Sequence, residues 1–237
     1  MAYIEGFVLA VPAANKDIYR EHASSAVPMF KGLGATRMVE TWADDVPPGK
    51  QTDFYRATKL EEGEVPLFSW IEYPDRATRV AAGKKMMEDP SISAAMSEMP
   101  FDAQRMIYGG FEALVDTGAK GRPGYVEGMI SPVPVNNKDS YRAAAEVQAP
   151  LLLEHGALRV VDSWGDDVPP GQTTDFQRAV AAKDDETIGF SFIEWPSKDV
   201  RNKAWEKLMQ DPRMAPNPDL YDAKRSIYGG FSPLVDE

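Results

Sequence analysis

The feature that most constrains this chain is that it is written twice. Displaced by 122 residues, positions 3–90 lie over 125–212 without a gap, and 40 of the 88 aligned positions are identical. Tyr3 falls on Tyr125, Tyr19 on Tyr141, Pro28 on Pro150 and Pro90 on Pro212. Two residues are then lost from the second copy, after which MIYGGFEALVD (106–116) matches SIYGGFSPLVD (226–236). A unit of this size is a domain rather than a solenoid repeat. The expected organisation is a first repeat over 1–116, a linker over 117–124 and a second repeat over 125–237. The linker, TGAKGRPG, is Gly-rich and has no bulky apolar residue. The most recognisable mark of the duplication is DDVPPG, at 44–49 and again at 166–171. A Trp stands two residues upstream each time, and a T-D-F-x-R run follows.

One copy predicts a clear order of elements. IEGFVLAV (4–11) is β-rich and ends at Pro12. Over 15–33 an apolar stripe of Tyr19, Ala23, Ala26, Phe30 and Leu33 has nearly the helical period. Asn15 is placed to cap that helix and Gly34 to end it, with Pro28 inside it as an expected kink. A strand is expected at 35–43. DDVPPG then reads as the tip of a long hairpin whose return strand is 52–59. LFSWIEY (67–73) is another strand. Pro74-Asp75 opens a helix that must stop near Asp89-Pro90, and 106–115 is the closing strand. The plan is β-α-β-hairpin-α-β, which is ferredoxin-like, so the fold class is α+β.

Two helices cover only one face of such a sheet. Alternation in LFSWIEY separates Leu67, Ser69, Ile71 and Tyr73 from Phe68, Trp70 and Glu72; the second copy separates Gly189, Ser191, Ile193 and Trp195 from Phe190, Phe192 and Glu194. The aromatic set belongs on the face the helices leave open. Packing the two repeats sheet to sheet, as one intramolecular barrel, would bury it. Glu5, Phe7 and Tyr108 alternate on neighbouring strands, on a face that a one-residue slip would invert. The Gly109-Gly110 and Gly229-Gly230 pairs call for a bulge or a close approach to the backbone. Eight linker residues span at most about 28 Å, enough for adjacent repeats, so the expected state is a monomer with an internal pseudo-dimer.

Composition narrows the function classes. The net charge is −11, from 37 acidic and 26 basic residues, with no long basic stripe, so nucleic-acid binding is disfavoured. No apolar run could span a bilayer, Glu5 interrupts the place of a signal-peptide core, and there is no Cys. The expected location is the cytoplasm, with no membrane partner.

YIEGFVLAVPAANKDIYR, ETWADDVPPGKQTDF, FSWIEYP, MMEDP and MPFDAQRMIYGGF closely resemble the YbaA-like family of bacterial domains of unknown function, once per copy. The resemblance implies the dimeric α+β barrel superfamily of ferredoxin-like proteins. It supplies no activity of its own, although related barrels include cofactor-independent monooxygenases and isomerases acting on small aromatic or lactone substrates. The second copy departs most at APNPDLYDAKR (215–225), against SAAMSEMPFDAQR (93–105) in the first.

No motif announces a reaction. His22 and His155 stand at non-equivalent positions, the Asp44-Asp45 pair in a Pro-Gly turn is expected to be solvated, and no metal site is expected. No dinucleotide, Walker or nucleophile-elbow loop occurs, and no cofactor is expected. Glu72 and Glu194 are candidate acid-base residues, because a carboxylate beside Phe68 and Trp70 would be desolvated; an ion pair with Arg56 or Arg178 is the structural alternative. His22 is a third catalytic candidate, set against a half-buried boundary role. The leading reading is a small-molecule site between the repeats, lined by Phe68, Trp70, Glu72, Tyr108, Phe190, Phe192, Glu194 and Tyr228. Phe192 opposite Trp70 would make its two ends distinct. The alternatives are a cofactor-independent monooxygenase or isomerase, and a non-catalytic interaction module with a filled interior.

Overall fold

In the computed structural model, which describes residues 2–90, 99–215 and 217–237, eight antiparallel strands close into a single barrel. The first repeat contributes β1 (Tyr3–Pro12), β2 (Arg37–Asp45), β3 (Glu64–Tyr73) and β4 (Ile107–Gly118). The second contributes β5 (Tyr125–Pro134), β6 (Arg159–Asp167), β7 (Glu186–Trp195) and β8 (Ile227–Asp236). The order around the barrel is β1-β3-β2-β8-β5-β7-β6-β4. Each repeat thus forms a four-stranded sheet, and β2–β8 and β4–β6 pairings sew the two together. Closure gives each of the eight strands a partner on both sides.

Alternation decides what each face buries. Ile4, Val8, Phe68, Trp70, Phe111, Val126, Ile130, Phe190, Phe192 and Phe231 point inward and make one core. Leu67, Ile71 and Tyr73 point outward under the first-repeat helices, as the alternation predicts. Those helices are α1 (Lys16–Gly32) and α3 (Arg76–Glu88), with α4 (Lys138–Glu154) and α6 (Lys198–Leu208) in the second repeat. Tyr19, Ala23, Val27 and Phe30 form the buried stripe of α1, and the helix runs on through Pro28. Asp75 caps α3, its side chain accepting from the Thr78 N–H. Asn15 does not cap α1: its amide donates instead to the Pro100 carbonyl, 2.9 Å away, tying the approach to β4 onto the helix start.

The expected return strand at 52–59 is not a strand. Asp53 caps a one-turn helix, α2 (Phe54–Ala57), and Asp175 caps its counterpart α5 (Phe176–Ala179). The capping carboxylate satisfies the Arg56 N–H at 2.8 Å, which favours a turn of helix over a ladder. Phe54 then enters the barrel edge-on to Phe68 and Phe231, as Phe176 does to Phe111 and Phe190. Thr52 donates to the Ala179 carbonyl and Thr174 to the Ala57 carbonyl, each at 2.6 Å. The T-D-F-x-R runs are therefore two plugs that bond to one another across the barrel mouth.

DDVPPG is consequently not a hairpin tip. Its acids clasp the opposite repeat. Asp44 accepts from Tyr125 (3.0 Å) and Lys198 (2.6 Å), and Asp45 pairs with Arg201 at 2.9 Å. The mirror set joins Asp166 to Tyr3 and Arg76, and Asp167 to Arg79. The expectation of a merely solvated acidic pair is corrected: each pair meets cations that only the other repeat supplies. Register shifts beside Gly110 and Gly230 mark bulges, and a side chain on either glycine would overlap the Tyr3 or Tyr125 ring.

Candidate functional site

The aromatic residues expected to line a cavity between the repeats fill the barrel. Phe68 stacks on Phe190 with centroids 4.5 Å apart, and Trp70 on Phe192 at 4.1 Å. All four are buried, and the Trp70 indole N–H donates to Glu72 Oε1 at 3.2 Å rather than into open space. Tyr108 and Tyr228 lie on the opposite side of their strands and are exposed. Glu5 and Phe7 also face outward, Glu5 bound by Arg79 of α3 and Phe7 packed into the helix-covered core.

Glu72 and Glu194 close the barrel end opposite the plugs, inside a pseudo-symmetric ion network. Arg159 Nη1 donates to Glu72 at 2.6 Å and its Nε to Asp116 at 2.7 Å; Arg37 does the same to Glu194 and Asp236 at 2.6 and 2.7 Å. The guanidinium groups lie over the Phe192 and Trp70 rings. Arg56 and Arg178, the expected partners, are instead held by the capping acids Asp53 and Asp175 of their own plugs. The linker completes the asymmetry: Lys120 adds a 2.6 Å bond to Glu72, and the Gly121 carbonyl accepts from Arg37. Burial pushes the Glu72 carboxyl up, but Arg159 and Lys120 outweigh it and hold the group down at about 2. Glu194 moves the other way, raised by burial and by the charge of Glu72 against the pull of Arg37. Each carboxylate is committed to buried arginine, the arrangement of a structural brace.

A largely apolar cavity lies outside the barrel, between α1, the outer face of the first-repeat sheet and the segment before β4. Its volume is about 230 Å³, walled by Phe7, Leu9, Met29, Phe30, Ile71 and Phe101, with Met38, Met99 and Met106 among its other apolar contacts. Tyr19 and Glu40 form its polar floor, and His22 and Ser25 stand at the α1 side. Of the sequence candidates, His22 is the one that reaches it, together with Met99 and Phe101 of the segment that distinguishes the repeats. Residues 93–98 of that segment lie outside the described residues.

The floor was missed in the sequence. Tyr19 comes from the buried stripe of α1 and Glu40 from β2, where the alternation of the strand puts it on the helix side with Met38. The Tyr19 hydroxyl donates to Glu40 Oε2 at 2.6 Å, and Ser69 of β3 is buried beside them without a well-formed hydrogen bond. Burial raises the Glu40 carboxyl above the ordinary carboxylate range, with Ser69 and Tyr19 opposing. Desolvation raises the Tyr19 phenol too, and the neighbouring Glu40 charge adds to it. The available signal was the duplication: Tyr19, Glu40 and Ser69 align with Tyr141, Asp162 and Ser191.

In the second repeat the same three positions are closed on themselves. Ser191 donates to Asp162 at 2.7 Å, and the Tyr141 hydroxyl lies 3.0 Å from Ser191. Leu220, opposite Pro100 in the repeat alignment, is buried against Tyr141, Trp164, Leu114 and Val133, with Ala144 and Tyr221 packed on the cluster. Asn137 holds this shorter segment by the Asp219 and Leu220 carbonyls, at 2.8 and 2.9 Å. Among the described residues, no group of three or more His, Asp or Glu is placed to hold a metal ion, and no helix is long and apolar enough to cross a membrane.

A family model described as protein of unknown function (DUF1428) matches residues 2–103 and again 124–223. The chain belongs to that family. Among curated relatives, the uncharacterized protein YbaA of Escherichia coli K12 is 58% identical over 116 residues, covering 49% of this chain and 99% of the relative. The protein of the same name from Shigella flexneri matches to the same extent. Those relatives are thus one repeat long. Among solved structures, two described as "putative monooxygenase" share the fold over nearly the whole chain. That from Fusobacterium nucleatum has a TM-score of 0.59 at 10% identity, covering 100% of this chain and 94% of its own. That from Lactobacillus acidophilus has a TM-score of 0.56 at 6% identity, covering 99% and 95%. At such identities the likeness is one of fold: a mixed α+β barrel built from tandem halves.

Proposed function

We propose that this DUF1428 protein binds one small, largely apolar molecule in the pocket under α1 of the first repeat, with Tyr19 and Glu40 addressing its polar group. The observation that carries this reading is the pocket itself: about 230 Å³ of mainly apolar wall ending on a buried tyrosine-carboxyl pair. Ligand sites combine that kind of wall with a few placed polar groups. The binding site expected between the repeats is thereby moved to the outer face, since stacked rings occupy the barrel interior. The closed barrel also supports action as a monomer, because each repeat finds its partner strands in the same chain.

The test is titration with N-phenyl-1-naphthylamine, a dye that brightens in apolar surroundings. The expected result is saturable binding at one dye per chain, abolished by Ala26→Trp, which fills the cavity from α1. Binding that survives this variant, or no binding by the native chain, overturns the reading in favour of a non-catalytic interaction module.

A second reading draws on the same floor. A buried carboxyl of raised proton affinity can take a proton from a bound substrate, the first step expected of a cofactor-independent oxygenase. Two structural neighbours carry a monooxygenase description. Oxygen uptake with quinols, dependent on Glu40, tests it.

A further inference from the structure

Among the described residues, most buried carboxyl groups are paired with an arginine. Glu5 is paired with Arg79, Asp53 with Arg56, Glu72 with Arg159, Asp175 with Arg178 and Glu194 with Arg37. Asp162 has no cation among the described residues but is bound by hydroxyl groups of Ser191 and Tyr141. Glu40 has no cation among the described residues; the Tyr19 hydroxyl donates to it, and the Ser69 hydroxyl lies beside the pair. It also lines the cavity under α1. A desolvated carboxylate without a counter-charge is costly, and an incoming cation would relieve that cost.

The walls suit such a ligand. Phe7, Tyr19, Phe30 and Phe101 surround the space, and aromatic faces attract a desolvated cation. Methionine thioethers at Met29, Met38, Met99 and Met106 are polarizable and adaptable. Among the described residues no Lys or Arg lines the cavity, so none of them would neutralise a carboxylate or phosphate ligand. The net charge of −11 further opposes anions and favours cations on approach.

Resting on the pocket reading above, we infer that the ligand is a small amine: one primary ammonium group on a compact apolar or aromatic body, with Glu40 as its counter-ion. Tyr19 is the positioning residue, its hydroxyl holding the carboxylate in place while the apolar body lies among the methionine and phenylalanine side chains.

Three probes of nearly one shape decide this: 2-naphthylmethylamine, 2-naphthylmethanol and 2-naphthoate, each titrated against the bound N-phenyl-1-naphthylamine at about pH 7.5, where the amine is protonated. The amine is expected to displace the dye at least tenfold more tightly than the alcohol, and the carboxylate not to displace it. Glu40→Gln, which still accepts from Tyr19, should erase the preference for amine over alcohol, each affinity being referred to the variant's own dye affinity. Tyr19→Phe, which keeps the carboxyl, should weaken the amine yet leave it ahead of the alcohol. If the alcohol or carboxylate matches the amine, or if dye binds and none of the three displaces it, the amine inference is overturned and the pocket reading stands. If dye does not bind at all, both fall. An amine preference that survives Glu40→Gln overturns the assignment of Glu40.

Discussion

The Phe68 ring lies flat on the Phe190 ring, with centroids 4.5 Å apart and planes 8° from parallel. The two residues are equivalent in the duplication, so the stack sits on the pseudo-twofold relation between the repeats. Each ring is also seated over a glycine of the opposite repeat. A Cβ on Gly6 would come within 2.6 Å of Phe190, and one on Gly128 within 2.7 Å of Phe68. The glycines on β1 and β5 are the floor on which the other repeat's aromatic ring rests.

Gly6→Ala and Gly128→Ala are therefore expected to destabilise the fold by about 1–3 kcal/mol each, through overpacking of rings that have nowhere to move. Urea denaturation measures the loss. Combining Gly6→Ala with Phe190→Leu should cost less than the sum of the two single changes. A double-mutant cycle with no coupling would count against the contact.

Glu72 makes stability depend on acid. Its folded carboxyl sits at about 2, below the ordinary value of 4.5. The contribution is fully present above the unfolded value and is lost as pH falls from about 4.5 towards 2. That shift corresponds to roughly 3 kcal/mol. Glu72→Gln leaves Arg159 and Lys120 facing a neutral amide, with an expected loss of about 3–5 kcal/mol at neutral pH. The deficit should shrink as the wild type is acidified. A deficit that stays constant from about pH 6 to pH 3 would refute the assignment.

Glu40 has the opposite sign. Its folded carboxyl is raised, so the folded chain keeps that proton while the unfolded chain loses it. Stability from this group declines as pH rises above the ordinary carboxylate range, until the folded group ionises in turn. Glu40→Gln mimics the protonated acid and escapes the decline. Measured by chemical denaturation, the variant should gain on the wild type between about pH 4.5 and pH 8.

The repeats should differ in binding although their floors align. Tyr19→Phe is expected to weaken dye binding several-fold, and Tyr141→Phe to leave it unchanged, because Leu220 and its neighbours cover the second floor. Isothermal titration should give one site per chain. Two equivalent sites would mean that the second pocket opens in solution. Trp70→Phe, by contrast, should lower stability without changing dye affinity, since its indole N–H serves Glu72 inside the barrel.

By itself the sequence determined the architecture. A duplication at fixed spacing, the period of two in LFSWIEY and the helical stripe from Tyr19 to Phe30 each depend on local geometry, and together they require two sheets with one aromatic face apiece. Burying those faces against each other was then the economical solution to exposed apolar area. What the aromatic faces would do once joined was a tertiary matter. The rings of Phe68, Trp70, Phe111, Phe190, Phe192 and Phe231 interlock only when both repeats, their plugs and the β1 and β5 glycines are brought together. It is this packing that sets stacked rings where the two sheets meet. The partners of Glu72 and Glu194 were equally non-local: Arg159 is 87 residues from Glu72, and Arg37 is 157 from Glu194. At 52–59 the expected strand gave way to a turn of helix that the Asp53 side chain caps locally, and the other repeat supplies a carbonyl for Thr52. The pocket under α1 was least legible. Tyr19, Glu40 and Ser69 are spread over three elements, and an acid on a buried face looks like any other until the fold withholds a cation from it.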